Sequence, residues 1–96
     1  MTVNDLLLNE NFTAITLPDA EREILDVYIG DLLSWVMGRA KSDDAWITIM
    51  SNVNILAVAT LADTSCIILA EGVTVDQTIK ATAEAKGVNI LSTQLS

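Results

Sequence analysis

Cys66-Ile67-Ile68-Leu69-Ala70 is an unbroken apolar run of strand length, and Glu71-Gly72 closes it. A run with no polar alternation suits a strand covered on both faces, as in the parallel sheet of a layered α/β domain. Upstream, Ala45-Trp46-Ile47-Thr48-Ile49-Met50 has the aromatic and β-branched content of a second strand. Between the two lies Val53 to Leu61, whose alanines favour a helix behind a Ser51-Asn52 cap, although its valine and isoleucine would tolerate strand. Downstream, Thr74 with Gln77 forms a capping box for a helix from Val75 to Lys86, and Gly87 supplies the stop. Val88 to Thr93 then reads as a final strand.

The first half continues the alternation. Thr2 caps a short helix through Leu8, with Asp5 at the third helical position. Phe12-Thr13-Ala14-Ile15-Thr16 reads as a short strand, and Pro18-Asp19 as a turn. Asp19 to Leu25 would also allow a helix, but Ile24 to Ile29 reads as a strand running into Gly30-Asp31, a natural strand-to-helix junction. A helix from Asp31 to Lys41 follows, with Leu32, Leu33, Val36, Met37 and Ala40 at helical spacing and Arg39 and Lys41 at its negative end. Ser42-Asp43-Asp44 breaks it. The expected fold is therefore a single layered α/β domain over residues 1–96, with about five short strands alternating with about four helices.

Composition narrows the functions open to such a domain. The 96 residues carry five Lys and Arg against thirteen Asp and Glu, a formal net charge of −8. Nucleic acids and anionic membranes call for a basic footprint, so neither is an expected partner. The start lacks the basic region of a signal peptide, and no apolar stretch is long enough to span a bilayer, which leaves the cytoplasm as the expected address. The chain has no histidine, hence neither the commonest general base nor the commonest metal ligand. One cysteine excludes an internal disulfide, and Cys66, inside an apolar run, reads as a buried structural thiol rather than a nucleophile. The glycines at 30, 38, 72 and 87 are too scattered for a phosphate-binding loop. Asp43-Asp44 reads as a solvated loop rather than an acid–base or metal site, and Asp19, Glu21, Glu23 and Asp26 as a solvated acidic face. An enzyme would need a metal at Asp43-Asp44 or at Asp26 with Asp31. No catalytic residue, metal or cofactor is expected.

Hydrophobic residues make up 51% of the chain, more than a small domain readily hides. The Asp31–Lys41 helix is apolar around much of its circumference and the Val53–Leu61 segment nearly all round, which points to self-association. Trp35, Val36 and Met37 are the expected interface residues.

Val27 to Met37, Asp44 to Ile49, Cys66 to Gly72 and Ile90 to Thr93, in that order and spacing, resemble the DRTGG domain family over nearly the whole chain. More narrowly, they are similar to its small stand-alone clostridial form. The pentapeptide that names the family is missing, and Ser51-Asn52 stands where relatives carry a histidine. The resemblance implies a fold similar to the N-terminal domain of HPr kinase/phosphorylase, without that enzyme's phosphate-binding loop. It further implies a regulatory role: such domains sit between CBS domains in some inorganic pyrophosphatases, contributing to dimer contacts beside adenine-nucleotide regulation. They also occur in longer phosphate acetyltransferases. The stand-alone form resembles proteins encoded beside iron-only hydrogenase subunits, which points to redox or fermentation metabolism.

The combined expectation is a non-catalytic, homodimeric regulatory module that binds a partner protein not named by the sequence. Gly30, Asp31, Ser51, Asn52, Gly72 and Thr74, at helix N-termini with free backbone N–H groups, are the candidate ligand-binding residues. The alternative is a domain that senses an adenine nucleotide, against which the net charge of −8 stands.

Overall fold

The computed structural model describes residues 1–96. Its elements in chain order are α1 (Val3–Leu6), β1 (Phe12–Thr16), β2 (Asp26–Ile29), α2 (Leu33–Arg39), β3 (Asp44–Thr48), α3 (Asn54–Ala62), β4 (Cys66–Leu69), α4 (Gln77–Lys86) and β5 (Ile90–Thr93). The strands form one sheet in the order β1-β5-β4-β3-β2. β2 to β5 run parallel in sequential order, and β1 closes the far edge antiparallel to β5. Five strands, four helices and their alternation agree with the expected α/β class.

Three successive βαβ crossovers stepping in one direction place their helices on one face of the sheet, because such connections share one hand. The core reflects this. Val36 of α2, Ile55, Leu56, Val58 and Ala59 of α3, and Ile79 and Ala83 of α4 pack with Trp46, Ile67, Leu69 and Ile90 of the sheet. The other face has a smaller cluster, in which Val3 of α1 meets Ala45, Cys66, Ile68 and Leu91. Because β4 is covered on both sides, all four of its residues are buried.

Trp46 anchors the larger cluster. It is fully buried, and its indole N–H donates to the Gly30 carbonyl at 2.8 Å. That bond ties the turn after β2 to the middle of β3, and satisfies a polar atom that burial would otherwise leave costly.

The smaller cluster is closed by the N-terminal segment acting as a strap. Val3 and Asn4 donate from their backbone N–H groups to Arg22 and Ala20 at 2.9 and 2.8 Å, and Ile24 N–H donates to Met1 at 2.8 Å. Thr2 and Asp5 make the capping box of α1, with bonds of 2.9 and 3.1 Å. Arg22 then reaches across the amino ends of the strands, donating to Asp43 Oδ1 and Asp63 Oδ1 at 2.9 and 3.0 Å. Buried Asn89 fastens the other side: Nδ2 donates to the carbonyls of Asp19 and Ser65, and Oδ1 accepts from Asp19 N–H.

Several expectations are corrected. Asp44 does not lie in a solvated loop: it opens β3, is 2% exposed, and its Oδ2 accepts the Lys41 N–H at 2.7 Å, while its Oδ1 has no hydrogen-bond partner. Asp19, Glu21, Glu23 and Asp26 are exposed as expected, whereas Arg22, lying among them, turns toward Asp43 and Asp63 as a clamp. The cap of α4 is Asp76, which accepts from Ile79 N–H at 2.9 Å, so the Thr74/Gln77 box does not form and the helix starts later. The final strand begins at Ile90 rather than Val88, because Thr16 Oγ1 bonds both the Val88 carbonyl and the Ile90 N–H where β1 and β5 slip register.

Replacing Trp46 by Ala is expected to lower stability by about 3–5 kcal/mol, read from the denaturant midpoint. The Arg22 clamp has a pH signature. The Ser42 hydroxyl and the Arg22 guanidinium hold the Asp63 carboxyl below its ordinary value. A carboxylate depressed in the folded state stabilises above its unfolded pKa of about 4, and this is lost as pH falls through the folded value. The melting-temperature deficit of Arg22→Met should therefore be present at neutral pH and shrink on acidification below about pH 4; a deficit constant with pH would contradict the clamp.

Candidate functional site

All six candidate ligand residues lie at the carboxyl edge of the parallel strands. Gly30 and Asp31 follow β2, Ser51 and Asn52 follow β3, and Gly72 and Thr74 follow β4. Since β2, β3 and β4 are consecutive neighbours, the three loops come to one end of the sheet, the end where open α/β sheets place their ligands.

The structure engages only part of the expected N–H donors, those of Gly30 and Gly72 among the six candidates. Asp31 caps no helix. Its Oδ1 instead accepts the Thr48 hydroxyl at 2.8 Å and the Ile49 N–H at 3.0 Å, pinning the turn after β2 onto the end of β3. With that carboxylate turned toward the sheet, α2 starts two residues later, at Leu33, with no side-chain cap. Asn52 Oδ1 accepts the first N–H of α3, from Asn54, at 2.9 Å. Asp76 occupies the N-terminus of α4. The Gly72 N–H donates to the Thr93 carbonyl at 2.9 Å, and its φ of +72° explains the glycine, since other residues rarely adopt that conformation. Ser51 and Thr74 are exposed.

Beside these loops, on the face opposite the three long helices, lies a depression of about 200 Å³. Ile29, Ile47, Ile49 and Ala70 line it, and Asp31 and Glu71 stand at its rim. Of these residues only Asp31 is a candidate from sequence. Ile29, Ile47 and Ile49 alternate along two strands, but only the register pairing Ile29 with Ile47 shows that they share an uncovered face. A second groove, of about 400 Å³, runs between α3 and α4 with Leu61, Thr82 and Lys86 among its lining.

The expected interface residues separate. Trp35 and Met37 are 53% and 44% exposed on α2, and the Arg39 guanidinium stacks on the Trp35 ring at 4.0 Å. Val36 is fully buried beneath them. Consecutive helical residues are rotated by about 100°, so the position between two outward side chains points into the core. Val36 is thus a core residue and is corrected out of the interface.

The acidic pairs considered for metal chemistry also separate. Asp26 begins β2 and Asp31 follows its end, which puts about 16 Å of extended chain between them. The Asp26 carboxylate is occupied by Val27 N–H and the Lys41 ammonium, which hold its pKa below the ordinary value. Asp43 faces Arg22. Burial pushes the Cys66 thiol up to about 12, so it is neutral and unreactive at neutral pH.

Together these features define a small α/β domain whose consecutive parallel strands β2, β3 and β4 end in three adjacent loops. The family model described as the DRTGG domain matches residues 15–96, and the chain belongs to that family. A solved structure of the CBS and DRTGG domains of the regulatory region of Clostridium perfringens pyrophosphatase, complexed with its activator diadenosine tetraphosphate, superposes with a TM-score of 0.74 at 14% identity. The match covers 99% of this chain and 42% of that one, so the chain spans less than half the length of this neighbour. No curated protein matches the sequence. No helix is long and apolar enough to cross a membrane.

Cys66 is expected to resist a thiol reagent such as DTNB at pH 8 and to react at the rate of a free thiol once denaturant unfolds the chain. Full labelling of the native protein within the dead time would show the strand to be accessible.

Proposed function

We propose that the chain is a non-catalytic regulatory module of the cytoplasm, a homodimer that acts by binding a partner protein and serves redox or fermentation metabolism. The observation that carries this reading is its membership of the DRTGG family, together with a likeness in fold to part of a pyrophosphatase regulatory region along almost its whole length. The chemistry of its side chains agrees. Its one thiol is buried and neutral, and the carboxylates weighed for catalysis are engaged in structural bonds. For the dimer, Leu32, Trp35 and Met37 give α2 an exposed apolar surface on a chain whose charge otherwise favours solubility.

A second reading, an adenine-nucleotide sensor, draws on the dinucleotide held by the pyrophosphatase region. The carboxylates of Asp31 and Glu71 and the net charge of −8 oppose seating a polyphosphate at the carboxyl edge. Ser51, Asn52, Gly72 and Thr74 remain the candidate contacts for that reading.

Light scattering coupled to gel filtration at tens of micromolar should give twice the 10.3 kDa chain mass, and Trp35→Glu should give the folded monomer. A wild-type monomer would remove the dimer, and an intact Trp35→Glu dimer would move its interface elsewhere. Thermal-shift titration with AMP, ATP and diadenosine polyphosphates tests the second reading, which requires a rise in melting temperature at millimolar nucleotide.

A further inference from the structure

We infer that the uncovered half of the sheet is a docking face for a cationic, apolar segment of a partner protein. This rests on the interaction-module reading and names the chemistry of the partner.

The strap covers only part of this side of the sheet. α1 and the residues after it cover β5, β4 and the amino end of β3, and leave β2 and the carboxyl end of β3 bare. Val27, Ile29 and Ile49 are 51%, 73% and 45% exposed there. Register places Val27 beside buried Ala45, and Ile29 beside Ile47, which in turn neighbours Ile68, so the bare side chains continue the smaller core cluster out to the sheet edge. Apolar side chains continuous with a core and open to water mark a surface that another chain covers.

Size and charge identify the occupant. A depression of about 200 Å³ is smaller than the ~300–1,000 Å³ typical of small-molecule sites, and suits one or two side chains of a segment laid across the sheet. Asp31 and Glu71 rim it, and none of the five basic residues lines it. Thr48 and Ile49 both bond Asp31 Oδ1, which fixes the carboxylate and leaves Oδ2 without a protein partner. Two carboxylates, one of them held in place, beside an apolar floor match lysine or arginine, whose aliphatic stems cover the isoleucines while the charged ends reach the rim. A second copy fits poorly, because a two-fold contact would set the same carboxylates against each other on chains of −8.

The test is a methyl NMR titration of the full chain, labelled at its isoleucines, with short soluble peptides alternating valine with lysine, glutamate or serine. The lysine peptide should shift the Ile29, Ile47 and Ile49 methyl signals, and the glutamate peptide should leave them in place. Asp31→Asn with Glu71→Gln keeps the Asp31 acceptor but removes both charges, and should weaken binding about fivefold. Ile29→Asn in the otherwise wild-type chain should abolish the shifts while the distant Ile55 and Ile79 signals hold their positions, confirming the fold. Equal shifts with the glutamate peptide, no binding at all, or shifts confined to Ile55 and Ile79 of the helical face would overturn the inference. In the last case the chain would still be a binding module, with its site elsewhere. A homodimer dissociated by Ile29→Asn would put a second copy on this face, and would equally overturn it.

Discussion

Three parallel crossovers made in the same direction impose the constraint on which the rest of the structure depends. Such crossovers share one hand, so each returns its helix to the same face, and α2, α3 and α4 bury one side of the sheet between them. The other side has no crossover helix available. Its cover here comes from the residues before β2, which form one four-residue helix, the edge strand β1 and a strap. Their apolar side chains suffice for β4 and β5 but not for β2. The buried core, the strap bonds and the bare isoleucines all follow from that imbalance.

Polar side chains do the fastening. A strap without regular structure cannot satisfy its own backbone, so its N–H and carbonyl groups need partners across the chain. Asn89 meets Asp19 from both ends of its amide, the Ser65 hydroxyl meets the Glu23 carbonyl, and Arg22 spans Asp43 and Asp63. Asp43 and Asp63 both have positive φ, where aspartate is better tolerated than a β-branched residue. Asp43, expected in a solvated loop, and Asp63 are therefore the anchor points of the N-terminal segment. At the opposite end of the sheet, Asp31 and Trp46 hold the turn after β2 against β3 in the same way.

Much of this was legible in the chain. The apolar run at Cys66–Ala70, the capping residues Thr2 and Gly87, and the alternation of strands and helices gave the class and the number of elements. The DRTGG resemblance rests on Val27 to Met37, Asp44 to Ile49, Cys66 to Gly72 and Ile90 to Thr93, and the family match agrees with it. The boundaries of α2 and β5 moved through long-range polar contacts, and that of α4 through the local Asp76 cap. Asp31 was read as opening a helix, and its carboxylate instead bonds Thr48 and Ile49. Asp44 was read as solvated, and it lies inside the sheet. Val36 was grouped with Trp35 and Met37 by sequence adjacency, although helical rotation turns it the opposite way.

The sequence by itself determined which segments become strands and helices, that the chain is acidic, and that its one thiol is buried, because periodicity, capping and composition act over a few residues. Only the tertiary structure decided which apolar residues are left outside. Strand register sets Val27 and Ile29 on the same face as Cys66 and Ile68, and the reach of the N-terminal strap covers the second pair and not the first. Whether an isoleucine is core or surface depends on what another part of the chain is long enough to cover, and no local pattern carries that information.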